Sequence, residues 1–164
     1  MTQSGVHQLY FEDVEVGNPL PPLETGVVTQ TNSIRFEAAT GVFAPAHHDL
    51  EFARQIGLPR TILPGNYSFS YIARMLTDWI GPEGWLAELD VRFRDVGLTG
   101  HRFSAEGVVT RKYVADERYW VACDVWFRDF DRDSKVTAGT CLVHLPSTAV
   151  GKEGSPWQSR RETA

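Results

Sequence analysis

Tyr67-Ser68-Phe69-Ser70-Tyr71-Ile72-Ala73-Arg74-Met75-Leu76-Thr77-Asp78-Trp79-Ile80 is followed, after the break Gly81-Pro82, by Glu88-Leu89-Asp90-Val91-Arg92-Phe93-Arg94. The change of period between these two stretches decides the fold. The first leaves little room for a polar face, with Arg74 and Asp78 the main exceptions, and a helix apolar nearly all round is a buried helix. In the second, Leu89, Val91 and Phe93 alternate with charged residues, a period of two that a helix would scramble. Three further alternating segments follow. One spans about Arg102 to Tyr113, and the last runs from Lys135 to Leu145 and stops at Pro146. The segment between them puts Tyr119, Val121, Cys123, Val125 and Phe127 on one face, with Trp120, Ala122 and Trp126 on the other. Turn signals at Ala115-Asp116-Glu117 and Asp131-Arg132-Asp133-Ser134 fit antiparallel hairpins. One buried helix followed by an antiparallel meander predicts an α+β domain, its curved sheet wrapped around the helix.

Upstream, the proline-rich segment Asn18-Pro19-Leu20-Pro21-Pro22 leads to the β-prone stretch Gly26-Val27-Val28-Thr29-Gln30. Thr31 or Asn32 then caps a short helix through Ala39, closed by Gly41. Asp49 precedes a second helical pattern that ends at Ile56-Gly57, where glycine suits a left-handed stop and Pro59 forbids continuation. The loop carrying His47 is therefore expected between two short helices.

A chain of 164 residues with 42% hydrophobic content is one ordinary domain with a real core. Residues 1–146 read as that domain, and 147–164, polar and without period, as a disordered tail. A net charge of −5 without basic clusters argues against nucleic acid. No run reaches the roughly 20 apolar residues of a membrane span, and Met1-Thr2-Gln3-Ser4-Gly5 does not begin a secretory signal, so the expected location is the cytoplasm. Cys123 and Cys141 are too few and too far apart for a zinc pattern and read as reduced core thiols. With no glycine-rich nucleotide fingerprint and no His/Cys cluster, neither a cofactor nor a metal is expected.

The segment Phe36-Glu37-Ala38-Ala39-Thr40-Gly41-Val42-Phe43-Ala44-Pro45-Ala46-His47-His48-Asp49 resembles the active-site loop of the MaoC-like or (R)-specific enoyl-CoA hydratase family, whose hallmark is Gly-Asp-x-Asn-Pro-aliphatic-His. Gly41, Pro45 and His47 match, while Val42 stands at the Asp position and Ala44 at the Asn position. Tyr10-Phe11-Glu12-Asp13-Val14-Glu15-Val16-Gly17, Leu63-Pro64-Gly65-Asn66, Leu76-Thr77-Asp78-Trp79-Ile80-Gly81-Pro82 and Val91-Arg92-Phe93-Arg94 are also similar to the family, so the likeness covers about residues 10 to 146. It implies a hotdog fold, an acyl-CoA substrate, and assembly with a second hotdog subunit, identical or different. Trp120 and Trp126, on the face away from the helix, are expected to be covered by that subunit.

Hydration of an enoyl thioester needs a base for water, an acid for the α-carbon and donors for the enolate oxygen. Carried over from the family, His47 is the catalytic histidine, and Gly65 with Asn66 lies where backbone N–H groups meet the thioester oxygen. Gly65 has an independent reason to do so, because a helix N-terminus offers unpaired N–H groups and a partial positive charge. Val42 can move no proton. Nearby substitutes have ordinary explanations: Asp49 as an N-cap, His48 as an exposed residue, Glu37 as a surface residue of its helix, and His101 in Thr99-Gly100-His101 as a turn residue. Arg54, Arg60, Arg111 and Lys112 are available to coenzyme A phosphates, but none is assigned. The expectation is a non-catalytic or degenerate subunit that pairs with an intact Asp-His subunit of an (R)-specific 2-enoyl-CoA hydratase. The alternatives are a self-sufficient hydratase using His47 and a hotdog acyl-CoA thioesterase.

Overall fold

The computed structural model describes residues 7–149; Met1 to Gly5 and all but the first three residues of the expected tail lie outside them. A 3-10 turn at Phe11–Asp13 opens the described chain, followed by β1 (Leu23–Val27), α1 (Gln30–Thr40), α2 (Pro45–His48), α3 (Leu50–Gln55) and the long α4 (Gly65–Ile80). Then come β2 (Trp85–Phe93), β3 (Arg102–Ala115), β4 (Arg118–Asp129) and β5 (Ser134–Leu145). The five strands form one antiparallel sheet in the order β1-β3-β4-β5-β2. Of the expected four-strand meander, β3, β4 and β5 pair in sequence, but β2, read as its first strand, pairs instead with the far side of β5 and closes the sheet around α4. Register shifts interrupt all four pairings, at Glu24/Gly26, Leu86/Glu88, Val109/Arg111 and Phe127/Arg128. Each adds local bend and right-handed twist, which is how so long a sheet curls.

α4 buries Tyr67, Ser68, Ile72, Met75, Leu76 and Ile80, a set spaced largely by three and four residues. The helix is thus amphipathic rather than apolar all round: Phe69 is exposed, and Arg74 and Asp78 pair in solvent one turn apart. Opposite α4 the sheet presents Phe103, Ala105, Val121, Cys123, Val125, Phe127, Val143 and Leu145, so the alternation read for the fourth strand is the core face. Phe103 and Phe127 stack at 5.2 Å in the centre. Cys123 and Cys141 face each other across β4 and β5 as buried free thiols. The neighbouring Cys141 thiol, together with burial, pushes the Cys123 thiol up, so it stays protonated and unreactive. Gly139 is required where β2 crosses β5, since a Cβ there would lie 1.9 Å from the Asp90 carbonyl oxygen.

Several local boundaries differ from the sequence reading. The strand expected at 26–30 is Leu23–Val27, and the cap of α1 is Thr29 rather than Thr31 or Asn32. Thr29 accepts from the Asn32 N–H while the Asn32 side chain accepts from the Thr29 N–H, a reciprocal box in which asparagine replaces the usual glutamate. Gly41 ends α1 in the left-handed region as expected, at φ 71°. Trp120 and Trp126 are half-buried on the outer face: Trp120 meets the His144 ring edge-on, and Trp126 donates to Glu106 at 2.8 Å under the Lys135 ammonium.

Candidate active site

His47 lies inside a helix, not in a loop. Pro45 begins the single turn of α2, where its missing N–H costs nothing. Asp49 then ends α2 and caps α3 by accepting from the Phe52 N–H at 3.0 Å. This turn points His47 toward the segment 61–63, which is pinned on both sides. The Ile62 N–H donates to the Ala46 carbonyl at 3.0 Å, and the Ile62 carbonyl lies 3.0 Å from His47 Nδ1. A carbonyl only accepts, so Nδ1 carries the proton and Nε2 is left with its lone pair. On the other side Leu63 N–H donates to Gly97 O, and the buried hydroxyls of Thr61 and Thr99 join at 2.8 Å.

Leu63-Pro64 then feeds directly into α4. Pro64 is the N-cap and offers no side-chain acceptor; its carbonyl receives the Tyr67 N–H. The N–H groups of Gly65 and Asn66 have no intrahelical acceptor by helix geometry, and the helix dipole adds partial positive charge there. Both residues are exposed.

A cavity of about 230 Å³ opens at this junction. His47, Ile62, Leu63, Pro64 and Gly65 line one part, Phe93, Asp95, Val96 and Gly97 another, and Ser68, Phe127, Val136 and Thr137 complete it. Gly65 keeps it open, because a Cβ at that position would come within 3.1 Å of the Phe93 ring. The Ser68 hydroxyl donates to the Gly65 carbonyl at 2.8 Å and meets the Thr137 hydroxyl at 2.7 Å, so two buried polar groups sit among apolar walls. The cavity thus joins a histidine, a helix N-terminus, an aspartate and an apolar slot.

The remaining expected residues fall elsewhere. Asn66 and Val42 are not among the lining residues; Val42 is 43% exposed, and Phe43 beside it is 64% exposed. Glu37, expected on the surface, is fully buried, and one carboxylate oxygen takes His48 Nδ1 at 2.8 Å. His48 is therefore not a free exposed residue: with the Gln30 amide, which donates to its carbonyl, it clamps α1 to α2. His101 is more than a turn residue, because it meets both oxygens of the buried Asp129 at 2.9 and 3.1 Å. Arg60 donates to Thr99 O and Lys112 to Val14 O, while Arg111 lies over the Tyr113 ring. Sequence reasoning misses Asp95, Ser68 and Thr137. Nothing local marks them, since they reach the cavity only when the loop after β2, the face of α4 and β5 converge.

Residues 14–125 match the family described as the MaoC like domain, which is more than half of the chain. The chain belongs to the MaoC-like family. Comparison with curated proteins by sequence finds no match. Among solved structures, the MaoC-like fold of this chain is similar to the (R)-hydratase PhaJ1 of Pseudomonas aeruginosa, with 20% identity and a TM-score of 0.74 over 85% of this chain and 87% of that one. It is also similar to a chain of the ChsH1–ChsH2 complex of Mycobacterium tuberculosis, with 22% identity and a TM-score of 0.69 over 80% and 98%. A third is the C-terminally truncated HadBC (3R)-hydroxyacyl-ACP dehydratase complex of the same organism, with 16% identity and a TM-score of 0.59 over 78% and 96%. At these identities the likeness shows the hotdog fold. Among the described residues no helix is long and apolar enough to cross a membrane.

Proposed function

We propose that this chain is a MaoC-like subunit of an (R)-specific 2-enoyl-CoA hydratase or dehydratase acting on acyl-CoA thioesters. The observation that carries the reading is that His47, with Nδ1 committed to the Ile62 carbonyl, lines the same cavity as Gly65 at the start of α4. In the hydration direction, water bonds through oxygen to C3, and its proton goes to His47 Nε2. The displaced π pair moves toward the thioester oxygen, which the N–H group of Gly65 stabilises together with the helix terminus. The imidazolium then returns its proton to C2. At about 30 Å³ per water molecule, the cavity has the room of roughly eight waters, which a thioester with a short acyl stretch can fill.

Where the carboxylate of the family motif resides divides this proposal. Val42 is apolar, exposed and not part of the cavity lining, which favours a degenerate subunit paired with an intact Asp-His hotdog partner; the two-protein complexes among the similar structures accord with such pairing. A carboxylate elsewhere in the cavity favours a chain that works alone. Enoyl-CoA hydration by the purified chain, by its Val42→Asp variant, and by the chain mixed with an intact MaoC-like protein tests the proposal. Activity above that of the intact protein alone is expected in at least one arm; where the chain or its Val42→Asp variant works unmixed, His47→Ala abolishes it, whereas a degenerate chain leaves the mixed activity insensitive to that change. Release of free coenzyme A without hydration would point instead to a thioesterase.

A further inference from the structure

The hydro-lyase reading leaves one cavity carboxylate without a role. Building on that reading, we propose that Asp95, on the loop after β2, supplies the carboxylate that Val42 cannot, so that the proton-handling pair of this chain is His47 with Asp95.

Asp95 lines the same cavity as His47, and it is held there from several sides. The N–H groups of Arg94 and Asp95 both donate to the Val136 carbonyl, at 2.8 and 3.1 Å, which anchors the loop to β5. Asp95 Oδ1 accepts from the Val96 N–H at 2.7 Å, and Oδ2 faces Arg132 Nη1 at 3.0 Å. A carboxylate offers about four acceptor sites, so roughly two of them remain for water.

Arg132 is itself immobilised. Its Nε donates to Asp129 Oδ2 at 2.9 Å, and its Nη2 donates to the Val96 carbonyl next to Asp95. Asp129 is fully buried and also receives His101 and the N–H groups of Asp131 and Arg132. His101, Asp129 and Asp131 lie close enough to suggest a cation site, yet Arg132 already provides the cation at Asp129. The network His101, Asp129, Arg132, Asp95 therefore ends at a residue of the cavity wall, and it fixes the carboxylate of that residue before any ligand arrives. Such fixed geometry is what orientation of a reacting water requires.

In the hydration step, one hydrogen of the water goes to His47 Nε2 while the other is held by Asp95. The oxygen bonds to C3, the π pair passes toward the thioester oxygen, and the imidazolium proton is delivered to C2. One water is added, and both side chains return to their starting states. The negative Asp95 also stabilises the transient imidazolium.

The test uses the purified full chain with short and medium trans-2-enoyl-CoA thioesters. The isolated chain is expected to hydrate at least one of them. Asp95→Asn is expected to lower kcat by about 10²- to 10³-fold with KM little changed, and Asp95→Glu to restore part of the loss. Arg132→Met removes the Asp95 ion pair together with the Asp129 and Val96 contacts but keeps the Asp95 carboxylate, and is expected to fall less in kcat than Asp95→Asn even where it lowers the melting temperature more. Melting temperatures of all variants report folding. If Asp95→Asn turns over within about threefold of wild type while His47→Ala is inactive, Asp95 is overturned and the hydro-lyase reading stands. Turnover only after mixing with an intact Asp-His subunit also overturns Asp95 and favours the paired reading. With no turnover in either setting, the hydro-lyase reading itself fails.

Discussion

Two residues show how position, not type, decides what a side chain does. His47 and His48 are adjacent, yet one carbonyl commits His47 to the cavity while one buried carboxylate commits His48 to the scaffold. His47→Ala is expected to reduce hydration by about 10²- to 10⁴-fold without loss of fold, measured as kcat/KM beside a melting curve. Ser33 offers a contrasting case. It is fully buried one turn before Glu37, and its hydroxyl has no hydrogen-bond partner among the described residues. A buried unpaired polar atom costs about 1 to 3 kcal/mol, so Ser33→Ala should stabilise the fold, by about 1 kcal/mol in denaturant titration. The motif frame around His47 is legible in the sequence because Gly41, Pro45 and His47 are local features with local reasons. The burial of Glu37 is not, because its surroundings come from α2, which the sequence of α1 does not contain.

At the level of elements, the hairpins and the helix cap carry the clearest consequences. The β3–β4 turn places both Asp116 and Glu117 at positive φ, 50° and 58°. Such two-residue turns favour Asn-Gly, because only glycine enters that region freely. Replacing Asp116-Glu117 with Asn-Gly should stabilise the chain by about 1 kcal/mol, read as a melting temperature higher by roughly 2 to 4 °C. The four strands after α4 are legible as strands, because only one face of the sheet packs on the core, although β2 begins at Trp85, before the alternation read from Glu88. The ends of β1 and the cap of α1 are not. Thr29, Thr31 and Asn32 are all competent caps, and the choice depends on where the chain leaves its pairing with β3.

For the whole molecule, the buried ionisable groups set the response to pH. Burial raises Asp129, but the hydrogen bonds and charges of His101 and Arg132 outweigh it and hold the carboxyl below its ordinary range. A depressed carboxylate stabilises the fold above the unfolded value near 4, and that contribution is lost as pH falls through the folded value. His144 is buried, and burial together with the charge of Arg118 lowers it, so the folded state keeps it neutral. The unfolded chain takes up this proton near pH 6.5, so stability should fall as pH drops below that point and level off beneath the folded value. Melting temperatures from about pH 7.5 to 3 should show both limbs, with the upper one weakened in His144→Gln. By itself, the sequence determined the α+β class, the long helix followed by four strands, the core face of β4 and the family, because each rests on period, punctuation or a contiguous motif. Tertiary structure alone decided the cavity. Its lining joins α2, the start of α4, the loop after β2, β4 and β5, and only closure of the sheet around the helix brings Asp95 and His47 to one surface. No spacing along the chain encodes that meeting, because it depends on a curvature built from backbone bulges in four strand pairings at once.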